Sequence, residues 1–359
     1  MHSRDTVFQA VSLRSLPGNV PRGYAIQRLS TRLGKRDIME ASPLCPVCES
    51  HEWLQIGRHV YRASDVSRLP EAIRPRLRVL FEVWAPRQVE FQATYVACQR
   101  CGFVCYLPRP TEDDLVAKYR YLNDAAPSHE DPPPPSAIER ARGGSILKAL
   151  EPHLGAKSRI LDYGGGDGRL MAPFLSRGHQ CAVIDFSPKP IDGVRYLGAT
   201  LGDASPGEGY DAVICNHVIE HLAHPFRILV ELREWLRPGG VLYVEVPMEI
   251  WRRIPVKDEP VTHVNFFTPP SLRSLLERSS YDVLRCRQEA YRHARGHMST
   301  AVRAVARPAR RAVSPRYLGV APTLELLNPG IGRRLAMAWL HPGKTVRRMT
   351  RRLSRFVPH

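Results

Sequence analysis

The chain is short of acid, sparing with cysteine and without a long apolar run. Its 359 residues carry 35 Asp and Glu against 52 Lys and Arg, a formal net charge of +17. No stretch of 18 apolar residues occurs, so nothing in it reads as a membrane span. The first residues lack the apolar core of a secretory signal, and the expected location is the cytoplasm. In that compartment, eight cysteines are better read as metal ligands or core residues than as disulfides. A hydrophobic content of 43% is ordinary for a globular chain, and the length allows two domains with tails.

The excess of base is local. Residues 1–40 hold seven Lys and Arg against three Asp and Glu, and residues 309–359 hold eleven against one. The remaining 41–308 carry 34 against 31. A nearly neutral body is not the basic face expected of an RNA-binding enzyme, so nucleic acid is disfavoured as a partner. Within the tail, Val346, Met349, Leu353 and Phe356 recur at helical spacing among five arginines of 344–358. Such a basic amphipathic helix reads as a peripheral contact with an anionic membrane surface, at the inner face of the membrane. A solvated tail and a nucleic-acid arm are the competing readings. Residues 1–40 show no period and are expected to be disordered.

The stretch from Arg159 to Asp185 organises the body. Ile160 and Leu161 open a short apolar strand. Asp162, Gly164, Gly166 and Gly168 follow at alternate positions. A helix over Leu170–Arg177 and a second strand, Ala182–Ile184, then lead to Asp185. Strand, glycine turn, helix, strand and acid form the nucleotide-binding half of a doubly wound sheet. The spacing is Gly-x-Gly-x-Gly, and an acid precedes it. A dinucleotide would need a helix N-terminus for its pyrophosphate. S-adenosylmethionine (SAM) has no phosphate and carries positive charge, so an acid beside the turn suits it better. A third strand is expected to end at Leu201–Asp203, and further strands to run over Tyr210–Cys215 and Val241–Val246, the last after the Leu236–Gly240 turn. A covering helix is expected over Ala137–Leu150, a helix over Pro270–Ser279, and closing strands over Tyr281–Gln288 and Ser299–Arg307. Pro188, Pro190 and Gly193 abbreviate the crossover after Asp185.

Cys45-x-x-Cys48 and Cys98-x-x-Cys101 are two knuckles of the kind that give structural zinc its four thiolates. The insert between them holds a helix near Glu71–Trp84. Thr111 caps another helix, with acids in its first turn. Cys181, Cys215 and Cys286 fall on strands as core residues, and Cys105 is a spare thiol.

Together these stretches resemble class I SAM-dependent methyltransferases, over roughly 136–308. The knuckles, Pro108-Arg-Pro110 and Tyr119 resemble methyltransferases with an N-terminal zinc-ribbon-like module, many from surface-glycan and secondary-metabolite pathways. The resemblance implies an α/β, Rossmann-like sheet with a small zinc-binding module and a basic C-terminal tail. Expected boundaries are 1–40 for the extension, 41–130 for the module, 131–135 for a proline linker, 136–308 for the SAM domain and 309–359 for the tail. It also implies that Gly164 and Gly166 line the methionine part of SAM. Asp185 would hold the ribose and Asp203 the adenine, with Asp162, Phe186, Ala204 and Asn216 completing the cofactor site. Structural zinc would sit on Cys45, Cys48, Cys98 and Cys101, and loss of any of the four should unfold the module while sparing much of the SAM domain.

Methyl transfer needs positioning and removal of a proton from the acceptor. His217, Glu220 and His221 stand at i, i+3 and i+4, which on a helical turn places them on one side. His263 lies after the fifth strand. The candidate catalytic set is therefore His263, His221, His217 and Glu220, with one histidine as base. Ubiquinone-pathway O-methyltransferases carry Glu-x-x-Glu-His at this place, thought to hold a divalent ion, and His217 replaces the first Glu here. Glu245 could bind acceptor hydroxyls, and Trp251 could close the pocket. The expected activity is transfer from SAM to a small polar acceptor, such as a sugar or glycan intermediate, most simply on oxygen. An RNA methyltransferase and a non-catalytic SAM-binding scaffold are the rivals.

Overall fold

The structure, a computed structural model, describes residues 43–124, 133–186, 189–292 and 298–330. The expected 1–40 extension, the first two linker residues and the amphipathic 344–358 stretch lie outside the described residues. Among those described, no helix is long and apolar enough to cross a membrane.

Strands β1 (Trp53–Arg62), β2 (Glu90–Cys98) and β3 (Val104–Leu107) form a small antiparallel sheet in that order. Between β1 and β2, α1 (Arg74–Arg78) runs on as a wide turn to Trp84, inside the expected 71–84 span. Helix α2 (Glu112–Asp124) follows. Thr111 starts it as expected, its Oγ1 accepting the Asp114 N–H while the Asp114 carboxylate accepts the Thr111 N–H at 2.8 Å.

Helix α3 (Ala137–Leu150) matches its expected bounds because Ser136 and Glu139 close a capping box. It leads into strands β4 (Arg159–Tyr163), β5 (Gln180–Ile184), β6 (Val194–Gly198), β7 (Tyr210–Asn216), β8 (Leu236–Pro247), β9 (Tyr281–Arg292) and β10 (Met298–Pro308). Their order in one sheet is β6-β5-β4-β7-β8-β10-β9. The run from β6 to β8 is parallel, and β10 and β9 add antiparallel. The chain order reverses between β4 and β7, which opens a crevice at their carboxyl ends. Helices α4 (Ala172–Leu175), α5 (Pro225–Glu234), α6 (Pro269–Arg278) and α7 (Ala321–Leu327) complete the described elements. The expected 170–177 helix shrinks to α4 and a preceding short turn, with Pro173 at its start.

Strand alternation divides the core between two faces. Ile160, Val183 and Ile214 pack with Ile146, Leu147 and Phe174 of α3 and α4 on one face. Leu161, Ile184, Val213 and Cys215 face the other way, towards Leu229, Leu232, Leu272 and Leu275 of α5 and α6. Cys181 and Cys215 are buried on opposite faces, as expected of core thiols.

The second core does not stop at the seven-stranded sheet. It continues through Val96, Phe103, Tyr106 and Leu115 and reaches the four knuckle cysteines. Val104 of β3 bridges Phe266. Arg278 of α6 donates to the carbonyls of Pro46 and Val47 and pairs with Glu49. Thr323 of α7 donates to the Gly102 carbonyl at 2.6 Å, and Arg100 lies over the Tyr317 ring. Residues 316–327, assigned to the tail on composition, thus fasten the second knuckle to the body. Module and sheet share one core.

Candidate functional site

The glycine turn joins the end of β4 to the turn before α4. Gly164, Gly166 and Gly168 all have φ near +70° (72°, 62° and 72°), where a side chain is strained. A Cβ on Gly165 would stand 2.3 Å from the Asp162 carboxyl carbon. Asp185, at the end of β5, accepts the Gly166 N–H on Oδ2 at 2.9 Å and so braces the turn.

Asp162 is 0% exposed, and neither carboxylate oxygen has a hydrogen-bond partner. Burial, with the charges of Asp185 and Asp167 beside it, pushes its pKa up to about 7. A buried carboxyl without donors is costly. It suits a ligand that brings positive charge to the turn, as the ammonium and sulfonium of SAM would. The turn formed by Asp162, Gly164, Gly166 and Asp185 therefore fits SAM.

The other expected cofactor residues fare differently. Phe186 directly follows Asp185 and is half-buried, and Ala204 packs against the main core. Asn216 ends β7 and accepts a 3.2 Å hydrogen bond from Arg142 Nη2. Asp203 is not at a strand end. β6 stops at Gly198, and Asp203 closes a short turn in which its Oδ2 accepts the N–H and hydroxyl of Thr200 at 2.7 and 3.0 Å. A carboxylate engaged in capping has less capacity left for an adenine amino group.

His217, Glu220 and His221 do converge, but not on a helical turn. His217 has φ 58°, left-handed, and only Ile219–His221 coil as a short turn. Spacing alone implied a helix; the reversal at His217, whose N–H donates to the Glu245 carbonyl at 2.8 Å, replaces it. Glu220 is 1% exposed. Its Oε1 lies 3.2 Å from His217 Nδ1 and 3.6 Å from His221 Nε2, without hydrogen-bond alignment.

His263 comes in from the segment after β8. Its ring centroid lies 4.8 Å from that of His221. Each imidazole is held at Nδ1: His221 by the Thr262 carbonyl at 2.6 Å, His263 by Glu249 Oε2 at 2.9 Å. A carbonyl can only accept, so His221 carries its proton on Nδ1 and its lone pair on Nε2. Burial and the neighbouring His263 and Lys118 charges hold the His221 pKa well below its ordinary value. At His217, burial lowers the pKa, but the hydrogen bond to Glu245 and the adjacent Glu220 carboxylate outweigh it and leave the pKa raised. Glu249, paired with His263 and Lys257, overcomes burial and is held down to about 2.

Glu220, His221 and His263 bring one carboxylate oxygen and two ring nitrogens within 4.8 Å of one another, a set that could hold a divalent ion. His217, expected in that role, is outside it. Glu245 does not face an acceptor. It is fully buried, receiving Arg142 at 2.5 Å, Arg303 and Tyr243 at 2.6 Å each. Trp251 is half-buried against the core.

Sequence reading missed Glu249, Lys118 and Arg142. None sits in a motif, and only the fold brings the segment after β8 together with α2 and α3.

The four knuckle sulfurs lie within 4.8 Å of one another, with Cys45–Cys101 at 3.6 Å and Cys48–Cys98 at 3.4 Å. A tetrahedral zinc–thiolate set has sulfurs about 3.8 Å apart. Four buried thiols this close cannot all ionise without a cation among them, so the set fits zinc. Cys105 is buried beside them, its thiol pushed up to about 11 by burial.

A doubly wound sheet with a glycine turn and two strand-ending acids at its switch point defines a nucleotide-type binding domain. Residues 137–285 match the family model of a methyltransferase domain. Curated relatives include the ubiquinone biosynthesis O-methyltransferase of Rickettsia typhi, 29% identical over 120 residues, covering 30% of this chain and 49% of the relative. That of Cereibacter sphaeroides is 34% identical over 96 residues, covering 23% and 39%. The chain thus spans under half the length of these relatives. A solved structure, the 1,6-didemethyltoxoflavin-N1-methyltransferase of Burkholderia thailandensis with bound 1,6-didemethyltoxoflavin and S-adenosylhomocysteine, is similar over 48% of this chain and 79% of its own. Its identity is 19% and its TM-score 0.38.

Proposed function

We propose that the protein transfers a methyl group from SAM to an oxygen of a small polar acceptor. The observation that carries this is Asp162, a buried carboxylate without donors behind a left-handed glycine turn braced by Asp185. Bound SAM supplies an electrophilic methyl on a good leaving group. Asp162 would balance its positive charge, and Asp185 would hold its ribose. When bound, SAM would supply the methyl group and its sulfur would keep the electrons of the C–S bond, while an imidazole of this chain would take the proton from the acceptor oxygen.

His221 is best placed to take that proton, because its Nδ1–H is committed to Thr262 and its lone pair is on Nε2. His263, oriented by Glu249, stands beside it. The names of the two ubiquinone-pathway relatives support oxygen as the atom methylated. The polar set of His263, Glu249 and Lys257 supports a hydroxyl-bearing acceptor, a sugar or glycan intermediate among them. Four sulfurs at zinc spacing support a structural ion in the knuckles. The basic amphipathic sequence of 344–358 supports a peripheral contact with an anionic membrane surface.

The test is incubation with methyl-labelled SAM and fractionated small-molecule extracts, for wild type and the His221→Ala and His263→Ala variants. Label should enter an acceptor with wild type, and both variants should bind SAM with reduced turnover. SAM bound without any labelled acceptor would leave a scaffold instead of an enzyme.

A further inference from the structure

Three side chains of the zinc-binding module reach backbone carbonyls of the two segments that carry His221 and His263. Tyr106 donates to Pro260 at 2.8 Å. Arg109 donates to Val264 at 3.1 Å, Leu222 at 3.3 Å, Ala223 at 2.9 Å and the Asn265 side chain at 2.6 Å. Lys118 of α2 donates to Val261 at 3.3 Å. Tyr106 and Arg109 extend an already continuous core. Lys118 is different, because it is a charged side chain only 2% exposed, and no ion pair within 4 Å accompanies it among the described residues. Its ammonium lies 4.1 Å over the Tyr119 ring. Glu259 and Arg76 are the charged groups that face it, and burial brings its pKa down to about 7. Packing alone would be better served by an apolar residue of the same size.

What Lys118 holds explains its presence. Val261 and Thr262 are adjacent. From one side the Glu259 carboxylate accepts both of their N–H groups, at 2.7 and 2.9 Å, and the Thr262 hydroxyl. From the other side Lys118 holds the Val261 carbonyl. The next carbonyl, that of Thr262, accepts His221 Nδ1–H. The two peptides are thus pinned at nitrogen by Glu259 and at oxygen by Lys118, and the remaining carbonyl points at the imidazole.

We propose that Lys118, reaching in from α2 of the zinc-binding module, is a positioning residue that fixes the Val261–Thr262 peptides and thereby the tautomer of His221. The module is then a part of the acceptor site and not an appended ribbon. The inference rests on the methyl-transfer reading only where His221 is named as base. The tautomer itself can be read without acceptor or turnover, so the two ideas fail separately.

The experiment uses the full chain with 15N-labelled histidine and two-bond 1H–15N spectra, His221 being assigned by its absence from His221→Ala. Wild type should show His221 as a single tautomer protonated on Nδ1. Lys118→Met removes the donor and keeps the volume. It should give mixed His221 tautomers, with SAM affinity within about twofold of wild type and a melting temperature equal or higher. Lys118→Gln retains one donor and should restore the single tautomer. An unchanged His221 pattern in a folded Lys118→Met variant would overturn the proposal. Should the Met variant fail to fold, the Gln variant decides: a folded, SAM-binding Lys118→Gln protein with mixed tautomers would overturn it equally.

Discussion

Replacing Asp162 with asparagine should stabilise the ligand-free protein above pH 7 and weaken its hold on SAM. The carboxyl is fully buried, without a hydrogen-bond partner, and faces the charges of Asp185 and Asp167. Its pKa is pushed from 3.8 up to about 7. The folded state therefore keeps a proton that the unfolded state releases. Stability from this group is greatest below about pH 4, falls as pH rises towards 7, and is flat beyond. At roughly 1.4 kcal/mol for each factor of ten, ionised Asp162 costs up to about 4 kcal/mol above pH 7. Asparagine keeps the shape and removes the charge, so urea unfolding at pH 8 should show a gain of about 1–4 kcal/mol, vanishing near pH 4. SAM binding should move the opposite way. Loss of the carboxylate should weaken it about 10- to 100-fold, the worth of one charged contact. Wild-type affinity should also rise between pH 6 and 8 as Asp162 ionises, and that of the variant should stay level. Equal unfolding free energies at pH 8, or an unchanged SAM affinity in the variant, would refute the reasoning.

Other expectations follow from the same geometry. Asp185→Ala should weaken SAM binding by about 1.5–3 kcal/mol, since it removes both the expected ribose partner and the brace on Gly166; calorimetry measures this. Purified protein should carry one zinc per chain, and Cys98→Ser should lower a single unfolding transition spanning module and sheet, because the core is continuous; two separate calorimetric transitions would contradict this. If His221 is the base, its depressed pKa keeps it deprotonated to acid pH, so the acid limb of the rate profile should fall below the ordinary histidine value of 6.5 and disappear in His221→Ala. Vesicles with anionic lipid should retain the full chain at low salt and release it at high salt, at about 1 kcal/mol per basic residue near the surface; flotation with and without 344–358 checks it.

The sequence by itself determined the elements whose cause is local. The capping box at Ser136, the glycine turn after Asp162 and the apolar strands β4, β5 and β7 are dictated by neighbours in the chain, and each was legible there. So was the pairing of two Cys-x-x-Cys knuckles, because ligand spacing within a knuckle is a local property. What the sequence could not show is where distant backbone turns aim a side chain. Helical spacing at 217, 220 and 221 suggested one face of a helix; the left-handed residue at 217 reached a similar convergence by another path. Glu245 alternates towards the interior as expected, but only the approach of α3 and β10 revealed that Arg142 and Arg303 already occupy it. Asp203 lies near its expected strand and is diverted into a cap by Thr200. Lys118, Glu249 and the Thr262 carbonyl are the furthest from sequence reach. They act on the histidines through hydrogen bonds across up to 143 residues of chain, and such contacts exist only once the small sheet and the large one have closed on a common core.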